Sequence, residues 1–172
     1  MKIGFVGLGI MGKPMVKNLI KANKDVLVND LNKEAEKEVA ALGAKVVSIE
    51  EMARDAEVMI TMLPNGAIVK SVLYSGETAV LNQSEMNVKM VIDMSSLTPN
   101  ESLEISKVLG EKDIQYVDAP VSGGEPLAIT GELAVMVGCD EGLLEDIKEV
   151  LRPIAGSVVR VGHVGSGSVV KL

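Results

Sequence analysis

Near the start of the chain, Gly7-Leu8-Gly9-Ile10-Met11-Gly12 spells G-x-G-x-x-G. That spacing suits a dinucleotide when a strand precedes it and a helix follows. The first glycine makes the tight turn, the second lets a pyrophosphate approach the backbone, and the third lets helix pack on strand. The pyrophosphate would rest on the N–H groups and positive dipole of the helix start. The flanking residues supply both elements. Ile3, Phe5 and Val6 make a short apolar run, and Met11, Met15, Leu19 and Ala22 then recur at helical steps. Pro14 falls in the first turn, where its missing N–H costs little. Asp25 to Asp30 reads as a second strand ending in an acid. That acid lies roughly 20 residues past the glycines, where one accepts from a ribose 2′-hydroxyl. A plain β-turn-α unit would need the glycines but not the acid.

The same acid points to NAD rather than NADP. Asp30 can accept from the adenosine ribose, while its charge repels a 2′-phosphate. Leu31 stands where an arginine would rescue NADP, and Lys33 is the cation left nearby.

A second stretch with chemical potential is Asp118-Ala119-Pro120-Val121-Ser122-Gly123-Gly124. A serine before Gly-Gly offers a hydroxyl and two sterically open backbone N–H groups, three donors that suit a carboxylate. A turn needing φ > 0 uses Gly-Gly equally well and is the simpler reading of these residues alone. Lys171, taken alone, reads as a solvated lysine near the end of the chain. Cys139 follows Val135-Met136-Val137-Gly138 and reads as a buried structural thiol. One cysteine and one histidine, His163, do not support a metal site.

Composition narrows the partners. A net charge of −7 argues against nucleic acid and anionic membrane. With one Phe, two Tyr and no Trp, the stacking platforms of single-strand binders are missing. An adenine here would lie between aliphatic side chains, and the ten Met residues fill gaps in the core. The single cysteine permits no internal disulfide and points to a reducing compartment, the cytoplasm. Gly4, Gly7, Gly9 and Gly12 puncture the first apolar run, which therefore reads as strand and turn rather than as a signal peptide. No apolar stretch approaches membrane-spanning length.

The elements that must position these residues follow in order. Helices are expected over 32–42, 49–55, 65–73, 98–109 and 142–151. Strands are expected over 44–47, 57–63, 88–93, 114–118, 133–139 and 158–161. Thr98-Pro99-Asn100-Glu101 gives one helix an N-cap, a proline at its first position and a capping-box acid. Strand alternating with helix predicts an α/β fold, a doubly wound, mostly parallel Rossmann-type sheet with extra C-terminal strands. Ligands bind beyond the carboxyl ends of such strands. Those ends bring Leu63, Pro64 and Ser96 to the cofactor alongside Gly7–Gly12 and Asp30. Residues 1–161 are expected to form the NAD-binding domain. Residues 162–172 read as a glycine-rich hinge and the start of an interdomain helix cut short, which points to a longer parent chain.

These stretches, in this order, resemble the β-hydroxyacid dehydrogenase family. Its marks are GLGxMGxPM (Gly7 to Met15), MLP (Met62 to Pro64), DxSS/TxxP (Asp93 to Pro99), DAPVSGG (Asp118 to Gly124) and GxxGxGxxxK (Gly162 to Lys171). The resemblance implies a reductase that moves hydride between NADH and a small hydroxy or oxo acid. It implies that Ser122, Gly123 and Gly124 hold the substrate carboxylate and that Lys171 is catalytic. Ser122-Gly123-Gly124-Glu125-Pro126, with Ala128-Ile129 and Gly131, is most similar to the branch acting on tartronate semialdehyde, ahead of the 3-hydroxyisobutyrate branch. Family members continue into a helical domain that closes the substrate pocket and forms the subunit interface, which implies a homo-oligomer. Cys139 departs from the family pattern, where glycine is usual.

Overall fold

Six apolar segments form the parallel part of a single sheet: β1 (Lys2–Val6), β2 (Asp25–Asn29), β3 (Lys45–Val46), β4 (Val58–Thr61), β5 (Met90–Asp93) and β6 (Gln115–Asp118). The sheet continues with β7 (Val121–Ser122), β8 (Leu133–Gly138) and β9 (Ala155–Gly162). The computed structural model describes residues 1–171, and its strand order is β3-β2-β1-β4-β5-β6-β8-β7 with β9 beside β8. β8 runs antiparallel to β6 and β7, and β9 runs parallel to β8. The strand order reverses between β1 and β4, and a crevice opens beyond the carboxyl ends at such a point.

The side-chain alternation of the strands divides the interior into two cores. Val26, Val28, Ile60 and Ile92 face one side with Phe5, Met15 and Leu19. Leu27, Met59 and Val91 face the other with Met52, Ile105 and Leu109. Both faces are apolar because helices cover both, as a parallel sheet requires. α1 (Gly12–Lys21) buries Met15, Val16 and Leu19, and α7 (Leu144–Leu151) buries Ile147, Val150 and Leu151. The opposite face receives α3 (Ile49–Asp55), α4 (Gly66–Lys70) and α5 (Pro99–Gly110). α2 (Lys33–Ala40) packs near the β2–β3 edge.

Capping chemistry sets the helix starts. Asn32 accepts from Glu34 and Ala35 N–H, and Asn65 accepts from Ile68 N–H. Thr98 and Glu101 form the expected capping box, as do Ser48 and Glu51. Two differences from expectation stand out. Ala22 is exposed beyond the end of α1, and Val16 takes the buried place. An unanticipated helix, α6 (Gly124–Thr130), follows β7 directly. Its glycine-proline opening disguises it, yet Pro126 lies in the first turn, where no intrahelical N–H is required. The last element, α8 (Ser166–Lys171), lies against β8, β9 and α5.

Candidate active site

The glycine loop joins β1 to α1 with no slack. Gly7 has φ of +108°, and a Cβ there would run into the Met62 carbonyl. A Cβ on Gly12 would collide with the Gly7 carbonyl. A Cβ on Gly9 would meet nothing within 4 Å, so the space above it is open. α1 begins without a side-chain cap, which suits an anion at its positive end. A groove of about 330 Å³ lies here, lined by Gly7, Gly9, Ile10, Met11, Gly12, Asp30, Met62, Leu63 and Pro64. A second groove of about 580 Å³ continues past Asp30, Leu31, Ser48, Ile49, Leu63, Pro64, Val72 and Thr78. Its apolar walls are aliphatic. Together the two grooves have the place and the lining of a dinucleotide site.

Asp30 anchors the turn after β2. Its Oδ2 accepts the Leu8 N–H, and its Oδ1 accepts the Asn32 N–H at 2.7 Å. The carboxylate thus leans over the glycine loop. Leu31 points into solvent, 97% exposed. Glu36, on the inner side of α2, accepts the Asp30 N–H at 3.2 Å.

Beyond β4 and β5 a buried network sets the loop that carries Leu63 and Pro64. Asp93, 1% exposed, accepts from Thr61 Oγ1 at 2.9 Å, from Ser95 N–H at 3.1 Å and from Tyr116 OH at 2.6 Å. Ser95 Oγ in turn accepts the Leu63 N–H at 2.9 Å. Burial raises the Asp93 carboxyl above its ordinary pKa, although the Tyr116 and Ser95 bonds work against that shift. Burial, with Asp93 alongside, pushes the Tyr116 hydroxyl well up.

A second buried acid, Asp118 at the end of β6, holds the final helix. It accepts the Gly165 N–H at 2.8 Å, the Ser168 N–H at 3.0 Å and the Ser168 hydroxyl at 3.3 Å. Ser168 also meets Ser102 of α5 at 3.1 Å. Burial raises the Asp118 carboxyl, against the Gly165 and Ser168 bonds. With α8 fixed in this way, Lys171 Nζ donates to the Val121 carbonyl at 2.7 Å. Val121 precedes Ser122, so the lysine and the Ser122-Gly123-Gly124 run lie together. Gly123 and Gly124 have φ of +130° and +65°, and they turn the chain from β7 into α6.

The candidate residues therefore fall into two groups. Gly7, Gly9, Ile10, Met11, Gly12, Asp30, Leu63 and Pro64 line the grooves, whereas Leu8 is buried and lines neither. Lys171 sits beside Ser122. Ser96 is exposed and lines neither groove, while its neighbour Ser95 is buried and tied to Leu63. The residues that sequence reading did not single out are supporting ones: Thr61, Ser95, Tyr116, Glu36, and the buried role of Asp93 and Asp118. For Thr61, Asp93 and Asp118 the signal was a polar residue closing a strand. Cys139 is buried and free. Among the described residues no group of three His, Cys, Asp or Glu side chains could hold a metal ion. No helix among them is long and apolar enough to cross a membrane.

A family model described as the NAD binding domain of 6-phosphogluconate dehydrogenase matches residues 2–164. The chain is 41% identical to the 2-(hydroxymethyl)glutarate dehydrogenase of Eubacterium barkeri, over 99% of this chain and 56% of that protein. It is 36% identical to the 2-hydroxy-3-oxopropionate reductase of Escherichia coli, over 100% of this chain and 58% of that protein. The solved 3-hydroxyisobutyrate dehydrogenase of Mycobacterium tuberculosis with L-serine superimposes with a TM-score of 0.90 at 34% identity, covering 99% of this chain and 57% of its own. The chain thus spans somewhat more than half the length of these relatives.

Proposed function

This chain belongs to the β-hydroxyacid dehydrogenase family, and we propose that it is the cofactor-binding half of an NAD-dependent reductase acting on a small 3-oxo acid. The observation that carries the reading is the convergence of the glycine loop, Asp30, Leu63 and Pro64 on one groove at the reversal of the sheet. A bound nicotinamide dinucleotide would supply or accept the hydride. Asp30, with no cation at Leu31, favours the unphosphorylated ribose of NAD. Gly7, Leu8, Gly9, Ile10, Met11 and Gly12 cradle the diphosphate, and Ser96 flanks the carboxyl end of β5.

The substrate end is assigned to the second group. Ser122 hydroxyl and the Gly123 and Gly124 N–H groups receive the carboxylate. Lys171 stands next to them and passes a proton to the aldehyde oxygen as the carbon is reduced, and it takes the proton back in the oxidation. The compounds in the relatives' names carry a primary alcohol, or the aldehyde whose reduction gives one, on the carbon next to the one bearing a carboxylate. Within that class the Ser-Gly-Gly-Glu-Pro run favours tartronate semialdehyde, reduced to glycerate. The 41% identity to 2-(hydroxymethyl)glutarate dehydrogenase favours a longer diacid as the second reading. The assembled protein is proposed to be a cytoplasmic homo-oligomer.

Fluorescence titration with NADH and NADPH tests the cofactor, and tighter binding of NADPH would overturn NAD. Turnover of tartronate semialdehyde against 2-formylglutarate tests the substrate. Binding of NADH with turnover of neither acid would instead favour a dinucleotide-binding unit without catalysis.

A further inference from the structure

Two carboxylates and an ammonium meet at the turn between β2 and α2, and ribose binding uses one of them. Glu36 is an acid only 3% exposed. Its Oε2 accepts the Asp30 N–H at 3.2 Å, and its Oε1 lies 3.0 Å from Lys33 Nζ. A 2′-phosphate on the adenosine ribose would fall beside Asp30, because that acid faces the 2′-hydroxyl. Lys33, three residues past Asp30, has the charge and the long flexible stem to reach for such a phosphate. Its ammonium is instead turned back onto Glu36.

We propose that Glu36 is a specificity-determining residue that withholds Lys33 from a 2′-phosphate, so that two acids rather than one exclude NADP. The inference rests on the reading of this groove as the NAD site. Glu36 does not touch the ribose. It acts through Lys33, whose charge it engages, and through Asp30, whose backbone it holds. The Glu36 carboxyl is fixed in the fold, with 4% of its side chain exposed. Lys33 is a partly released partner by comparison, with 73% of its side chain exposed, so loss of the Glu36 charge frees it to swing toward the groove.

The test is titration of the chain with NADH and NADPH in a square of variants. E36Q keeps an amide oxygen for the Asp30 N–H, so NADH affinity should hold within about twofold, the scale of a weak surface change. NADPH affinity should rise by about 5- to 20-fold, as a partly exposed ammonium gains a phosphate contact. E36Q combined with K33Q should lose that gain. An unchanged ratio of NADPH to NADH affinity in E36Q would overturn the proposal. Should E36Q fail to fold, K33Q alone decides, since the site is exposed. With Lys33 already engaged, K33Q should change NADPH affinity by less than about twofold. A loss of about fivefold or more would mean that the ammonium already reaches the phosphate, and the proposal falls. A wild-type preference for NADPH would overturn the NAD assignment itself, while the variant square still reports the effect of Glu36.

Discussion

A hydride placed on an aldehyde carbon leaves charge on the oxygen, and a proton donor must lie within reach. In the proposed reaction that donor is Lys171, whose Nζ donates to the Val121 carbonyl at 2.7 Å, one residue from Ser122. In the catalytically competent protein, Lys171→Ala should lower kcat by about 10²–10⁴-fold while NADH affinity holds. A variant that keeps most of its kcat would point to a different acid. Ser122→Ala removes a donor to a charged group, worth about 1.5–3 kcal/mol. Its effect should fall on KM for the oxo acid; a raised KM for NADH instead would move Ser122 to the cofactor. Gly9→Ala separates ligand space from packing space. A Cβ at Gly9 meets no protein atom within 4 Å, so the melting temperature should hold while NADH affinity drops by about tenfold or more, as a methyl enters the diphosphate position. Equal affinity would place the diphosphate elsewhere. Gly12→Ala should instead destabilise the fold, because its Cβ collides with the Gly7 backbone. At this scale the glycines and Asp30 were legible because their chemistry depends on spacing within one loop and two strands. Glu36 was not. In sequence it is one more acid in a charged helix, and only the fold turns it inward against Asp30.

Elements show where local rules suffice and where they do not. α5 was legible from Thr98, Pro99 and Glu101 because a capping box is written in four consecutive residues. β4 was legible from its nearly continuous apolar run. α6 was hidden by Gly-Gly-Glu-Pro, which read as a turn, and the pairing of β8 antiparallel to β6 left no local trace. The polar ends of β5 and β6 carry a consequence for pH. Burial holds Asp93 and Asp118 above the ordinary aspartate pKa in the folded chain. The folded state therefore binds protons that the unfolded chain has released over that interval. Their contribution to stability is full below the ordinary aspartate range and is lost as pH rises through their raised folded values. Asp93→Asn keeps an oxygen for Thr61 and Ser95 and offers Tyr116 an N–H. It should flatten that part of the profile, measured by denaturant unfolding at a series of pH values. A wild-type stability that climbs with pH through the same interval, and a variant with the same climb, would mean that Asp93 is not raised by burial.

On the scale of the whole molecule, the sheet carries the grooves proposed for the cofactor, and the end proposed for the substrate is open. Lys171 is exposed on the outer side of α8, with Val169 and Val170 at 58% and 55% exposure beside it. The chain covers 58% of the E. coli 2-hydroxy-3-oxopropionate reductase and 57% of the M. tuberculosis 3-hydroxyisobutyrate dehydrogenase. Reduction of an aldehyde depends on more than holding the two reactants. Water must be kept from the developing charge, and the carboxylate and carbonyl must be fixed together against the proton donor. On the proposed reading Gly7–Gly12 and Asp30 hold the dinucleotide from within this chain, whereas Ser122, Gly123, Gly124 and Lys171 are exposed. The 172-residue chain should therefore bind NADH, yet turn over tartronate semialdehyde far more slowly than the E. coli reductase. The two quantities are measured on the same preparation, by fluorescence titration and by loss of NADH absorbance. Slow turnover with weak NADH binding would place the fault in the grooves. Turnover equal to that of the E. coli enzyme would show that α8 and the Ser122 loop form a sufficient active site on their own.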